Sequence, residues 1–189
     1  VTEYWTGWYD HWDAPHSDPM DTSNNYHNLA QILAAGAQYN LYMFHGGTNF
    51  GFTAGRGRCD PSCHLTTSYD YAAPLTEAGG RGAKYAIVKR ISTFASQFGH
   101  VFANLDPESP HAAVAPVEAD HALSVIHQHG SQGEVIFILK SAQDKTTKTN
   151  LLLSNGLNLP VTLGDDRVAW VLLNANLGGT ATLTYTNLR

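Results

Sequence analysis

The sequence predicts a mixed α/β chain in two parts, a βαβα segment over the first hundred residues and a β-rich, sandwich-like region after it. Helix-period and strand-type apolar segments alternate up to Gly99. After Asp106-Pro107, Pro110 and Pro116 only short apolar runs remain, parted by Gly, Asn and Asp. These shifts place two domains at residues 1–110 and 111–189. A complete (β/α)8 barrel usually needs roughly 250 residues, so any barrel-type motif in a chain of 189 would have to belong to a partial barrel.

Val1 to Tyr4 reads as the end of a strand, followed by a Trp- and Gly-rich loop through Pro15 and Asp18-Pro19. Thr22 or Ser23 caps a helix whose apolar residues Tyr26, Leu29, Ile32 and Leu33 recur at three and four, with Gly36 as its stop. Tyr39 to Phe44 is dense enough in aromatic and aliphatic residues to predict a buried strand, and strand–helix–strand in this span predicts a parallel crossover. Residues 46–80 form a long glycine-rich, aromatic loop of the kind that carries function. Tyr85, Val88, Ile91, Ala95 and Phe98 then mark an amphipathic helix stopped at Gly99. Five runs predict strands beyond it: His121–His127, Val135–Leu139, Leu151–Leu153, Val168–Leu173 and Thr180–Tyr185. Residues 145–149 read as a solvated strand or loop.

Eleven basic against sixteen acidic residues give a net charge of −5 with no basic run, which removes the electrostatic basis for a nucleic-acid partner. Protonating all ten histidines moves that charge from −5 to +5, a weak pointer to an acidic compartment. No apolar run approaches the length of a membrane span. The two cysteines, Cys59 and Cys63, fit a local disulfide, free thiols or half a zinc site. The spacings of His11, His16, His27, His45, His64, Cys59 and Cys63 match no regular ligand motif, so no metal and no cofactor is expected.

Chemistry concentrates at Glu3. A carboxylate at a strand end among Trp5, Trp8, Tyr9 and Trp12 suits sugar chemistry, because aromatic faces stack on a pyranose while the carboxylate attacks or stabilises the anomeric carbon. The plainer reading makes Glu3 one end of a surface ion pair.

Three ordered blocks extend this: Thr2 to Trp12, containing Glu3-Tyr4-Trp5-Thr6-Gly7-Trp8; Asn40 to Phe52, containing His45-Gly46-Gly47-Thr48-Asn49-Phe50-Gly51; and Thr67 to Gly79, containing Ser68-Tyr69-Asp70-Tyr71. Together they closely resemble the glycoside hydrolase family 35 β-galactosidases over about residues 1–95. The resemblance implies the C-terminal part of a (β/α)8 TIM barrel, strands 7 and 8 with their helices, followed by a β-rich accessory domain. It implies a retaining hydrolase that releases terminal β-linked galactose, with Glu3 as nucleophile at the end of the seventh strand and residues 39–45 as the eighth. Trp8 matches a tryptophan packed on the galactose, and Tyr71 a tyrosine that bonds near the nucleophile. A Tyr71 hydroxyl donating to Glu3 would lower its pKa and orient it. Asp70 and Tyr4 are candidates for supporting hydrogen bonds, though an acid in a turn ordinarily accepts backbone amides. His45, Thr48 and Asn49 are assigned to the glycine turn rather than the sugar.

Ala72 and Gly80 stand where the family pattern has acids. A retaining glycosidase also needs a second carboxyl about 5–5.5 Å from the first. The resemblance places that acid/base glutamate on the fourth barrel strand, upstream of Val1. The expectation is therefore a fragment whose missing partner is the N-terminal barrel segment of the same protein, and a free chain that is inactive and aggregation-prone. The resemblance also points to an extracellular, lysosomal or vacuolar location. The alternative is a non-catalytic galactoside-binding or scaffold remnant.

Overall fold

The computed structural model describes residues 1–18, 21–57, 63–106, 115–116, 123–153, 156–163 and 167–188. Two compact units emerge, one of residues 1–26 and 39–92, the other of 27–38 and 93–189. The division passes through both long helices and groups residues 27–38 and 93–106 with the β-rich part, while the boundary read from the sequence at residue 110 lies outside the described residues.

In the first unit β1 (Tyr4–Trp5) pairs in parallel with β2 (Leu41–Tyr42), Tyr4 opposite Leu41 and Trp5 opposite Tyr42. Between them the chain runs through α1 (Thr22–Ala34). Its N-cap is Asp21, whose Oδ1 accepts the Asn24 amide at 2.7 Å, rather than Thr22 or Ser23. Gly36 ends the helix at φ 71, with Gly36 N bonded to the Leu33 carbonyl and Ala37 N to the Ile32 carbonyl, the pair of bonds of a Schellman motif. The strand expected to be buried over residues 39–44 is only two residues long and half-buried, and Phe44 is exposed. In a two-stranded sheet each strand has one neighbour, so composition suited to a barrel interior lies partly open.

α2 (Tyr85–Gln97) buries Val88, Ile91 and Phe94 along one stripe, and a short α3 (Gly99–Phe102) continues the chain beyond the expected stop. In the second unit β3 (Leu105–Asp106), β5 (Leu123–Gly130), β6 (Gly133–Lys140), β9 (Val168–Gly178) and β10 (Ala181–Leu188) form an antiparallel sheet ordered β10-β9-β6-β5-β3. A three-stranded sheet contains β4 (Ala115–Pro116), β7 (Lys148–Leu152) and β8 (Asn158–Thr162), with β7 central. One apolar cluster joins the two sheets: Ile136, Ile138 and Val171 from the first with Leu151, Leu159 and Val161 from the second. The opposite face of the larger sheet meets the aromatic end of the helical segment, where Phe94 stacks on Trp170 at 4.8 Å and Phe102 approaches Phe137 at 6.4 Å. Burial on both faces explains the unbroken apolar run of β6.

Candidate active site

Alternation along β1 sorts the side chains around Glu3. Glu3 and Trp5 are exposed on one side, and Trp5 Nε1 donates to Glu3 Oε2 at 3.1 Å. Tyr4 turns inward and donates to Asn25 Oδ1 at 3.1 Å, so it anchors the strand from the face opposite Glu3. Buried Asn25 also donates to the Thr6 carbonyl at 3.2 Å and the Asp21 carbonyl at 3.0 Å. The same Thr6 carbonyl accepts from Lys84 Nζ at 2.7 Å, and Lys84 pairs with Asp18 at 2.6 Å. Thr6 Oγ1 donates across to the Met43 carbonyl at 2.7 Å, tying the end of β1 to the end of β2. Hydrogen-bonded buried polar groups hold a strand end in one position.

An aromatic cluster covers the Glu3 side. Trp5 meets Trp8 edge-on at 4.8 Å, Trp8 stacks on Tyr9 at 4.9 Å, and Trp8 lies 6.3 Å from Tyr71. Tyr71 in turn packs against Tyr69 at 5.3 Å and Tyr42 at 5.7 Å, while the Tyr42 and Tyr69 hydroxyls lie 3.2 Å apart. Tyr71 is 2% exposed. Its burial, then neighbouring Tyr42, then the negative charge of Glu3, push its phenol up to about 12, so it stays protonated and able to donate. The hydrogen bond that Glu3 receives in this structure comes from the Trp5 indole, and Tyr71 is coupled to Glu3 through its field.

Two glycines let the third block reach this position. A Cβ on Gly7 would overlap the Tyr71 carbonyl oxygen, and one on Gly46 would overlap that of Tyr69. Backbone bonds from Asn49 to Thr67, Tyr69 to Gly47 and Leu75 to Phe44, at 2.8–2.9 Å, fasten this segment along the glycine turn. Asp70 spends both carboxylate oxygens on backbone amides, Ala72 at 3.2 Å and Glu77 at 2.9 Å. Thr48 and Ser68 donate to Glu77 at 2.5 and 2.6 Å, and His45 Nε2 bonds the Glu77 carbonyl oxygen at 3.1 Å, so this set holds the turn. Among the described residues no three His, Cys, Asp or Glu side chains group as a metal site. Cys63 is disulfide-bonded, and Cys59 lies outside the described residues.

Trp5 as the indole donor, the Tyr42–Tyr69 hydroxyl pair and the two packing glycines escaped the sequence reading. Of these, Trp5 had a signal in the chain, since residues i and i+2 share a strand face.

The family described as glycosyl hydrolases family 35 matches residues 1–95, just over half the chain, and those residues carry this entire cluster. The chain belongs to that family. It is 44% identical over 120 residues to human beta-galactosidase-1-like protein 2, covering 62% of this chain and 18% of that one. The figures for mouse beta-galactosidase-1-like protein 3 are 32% over 160 residues, 85% of this chain and 24% of the relative. Human beta-galactosidase is 48% identical over 90 residues, 48% of this chain and 13% of that one. The chain thus spans less than a quarter of the length of these family members. Among the described residues no helix is long and apolar enough to cross a membrane.

Proposed function

We propose that these residues carry the nucleophile half of a retaining β-galactosidase site, on the closing part of a (β/α)8 barrel followed by a sandwich-like β domain. The observation that carries the reading is the exposed Glu3 carboxylate directly before the parallel strand β1, hydrogen-bonded by Trp5, which packs on an aromatic cluster that includes Trp8 and Tyr71. Trp8 stacks on the apolar face of the galactose, and the protonated Tyr71 donates to Glu3 once the sugar excludes water. Glu3 attacks the anomeric carbon as the aglycone oxygen leaves with a proton, forming a galactosyl ester. Water then cleaves that ester with retention. The proton donor is a carboxyl from polypeptide beyond these 189 residues, and the reaction needs neither metal nor cofactor. The Cys63 disulfide supports an oxidising location, extracellular or lysosomal/vacuolar.

The test uses the polypeptide as the organism makes it, with Glu3→Ala and a β-galactoside bearing an activated leaving group. Turnover falls by several orders of magnitude, and azide restores it with α-galactosyl azide as product, because the small anion fills the vacated nucleophile position. A β-azide would assign Glu3 to the acid/base role, and wild-type binding of galactosides without turnover would favour the binding remnant.

A further inference from the structure

Asp10 closes the loop that carries Trp8 and Tyr9. Its Oδ1 accepts the Ser17 amide at 2.7 Å and its Oδ2 lies 2.8 Å from His16 Nδ1, so one carboxylate gathers residues 10–17 into a closed turn. The Asp10 carbonyl accepts the Thr66 amide at 3.2 Å, which ties the turn to the segment leading to Tyr69 and Tyr71. Lys84 brackets the same stretch, donating to the Thr6 carbonyl at 2.7 Å and pairing with Asp18 at 2.6 Å. Within the bracket Trp8 stacks on Tyr9 at 4.9 Å, and Tyr9 stacks on Tyr69 at 6.4 Å. Bonds that fix Asp10 therefore restrain the aromatic pair directly before it.

The Asp10 side chain is 17% exposed and that of His16 55%, so the ring exchanges protons with solvent while its partner is held. The hydrogen bond to Asp10 raises the His16 pKa above its ordinary value, partial burial opposes the rise, and the fields of Asp10, Asp70 and Asp18 add to it. Asp18 has its own cation in Lys84, whereas Asp70 directly precedes Tyr71. A charged His16 thus attracts acids of both aromatic segments. The geometry points to His16 as a positioning residue of the galactoside site, a cation that draws the Trp8–Tyr9 loop and the Tyr69–Tyr71 segment together and releases them on losing its proton. The neutral ring keeps its bond to Asp10 only as the Nδ1–H tautomer and gives up its attraction for both acids. Since the folded pKa lies above the unfolded one, this tightening is complete below about 6.5 and is lost as pH rises through the raised value. As an effect on sugar affinity it rests on the galactosidase reading, but the tightening of the loop does not.

Hydrogen exchange of the natural polypeptide from about pH 5 to about pH 8, corrected for the intrinsic pH dependence of exchange, reads the loop without any sugar. Peptides containing the Ser17 and Thr66 amides lose protection about two- to fivefold as His16 deprotonates, the worth of a partly exposed ion pair. His16→Gln removes that pH dependence and holds the loop at its high-pH level throughout, and Asp10→Asn removes most of it, so the outcome does not hang on the folding of one variant. Calorimetric titration with isopropyl 1-thio-β-galactoside, which is not hydrolysed, shows a loss of affinity of about the same size over the same pH range in the wild type and none in His16→Gln. A merely structural role for His16 would lower affinity equally at every pH. Wild-type protection or affinity that does not change with pH, or a change that survives both substitutions, overturns the proposal. Absence of thiogalactoside binding at every pH sinks the galactosidase reading and leaves the loop result standing.

Discussion

Ala72 sits at φ 47 directly after Tyr71 at φ 64, two left-handed residues in a row where the third block packs onto Gly7. A side chain at such φ costs about 1–2 kcal/mol, least for glycine, asparagine and aspartate. This gives a physical reason for the acid that the resemblance places after the second tyrosine. Ala72→Gly is therefore expected to raise unfolding stability by about 0.5–1 kcal/mol in a denaturant titration, the lower figure allowing for the freer unfolded chain. Tyr71→Phe is expected to leave stability nearly unchanged and to lower kcat about tenfold to a hundredfold, the worth of one hydrogen bond to a charged group. Glu77 carries a pH prediction. Hydrogen bonds from Ser68, then Thr48, hold its carboxyl below the ordinary value, so its contribution is present at neutral pH and is lost as pH falls through the depressed folded value. Glu77→Gln should flatten that acid limb of the stability curve while leaving the slope near neutrality as it was. Glu3 stood out in the chain as an acid among Trp5, Trp8, Tyr9 and Trp12, whereas the particular part given to Trp8 came only with the family resemblance. For Asp70 the chain favoured backbone amides over a supporting side-chain bond, because an acid in a turn ordinarily accepts them, and its carboxylate accepts those of Ala72 and Glu77.

At the scale of elements, helices were the most legible because their evidence is local. The apolar period of α1 and the glycine after it are read directly, and only the cap moved, to Asp21. β2 was misjudged because burial of a strand depends on neighbours that its own residues do not specify. β8 was missed because Pro160 interrupts its run. The strand accommodates proline by lying at an edge of its sheet, with Leu159 and Val161 still facing the core. The reach of the helical segment into the β-rich unit rests on Phe94 stacked against Trp170, a contact between residues far apart in sequence. Trp170→Ala is expected to cost about 3–5 kcal/mol in chemical denaturation, as for other large aromatic truncations in a core.

Across the molecule, order is uneven in a way that bears on function. β6 and β9 pair over most of β6 and are buried on both faces, whereas β1 and β2 are two-residue strands. In hydrogen exchange the amides of β6 and β9 are expected to be the slowest in the chain, and those of β1 and β2 to exchange orders of magnitude faster in the isolated 189 residues. The proposed nucleophile Glu3 lies directly before one of these short strands, and the chain spans less than a quarter of the length of the relatives it matches. The central claim is that Glu3 forms the bond to the sugar. The direct measurement is to treat the natural polypeptide with 2-deoxy-2-fluoro-β-galactosyl fluoride and map the covalent adduct by peptide mass spectrometry. The adduct is predicted on the carboxylate of Glu3 and to vanish in Glu3→Gln. An adduct on another carboxylate, or turnover with inversion and no adduct, would contradict the account.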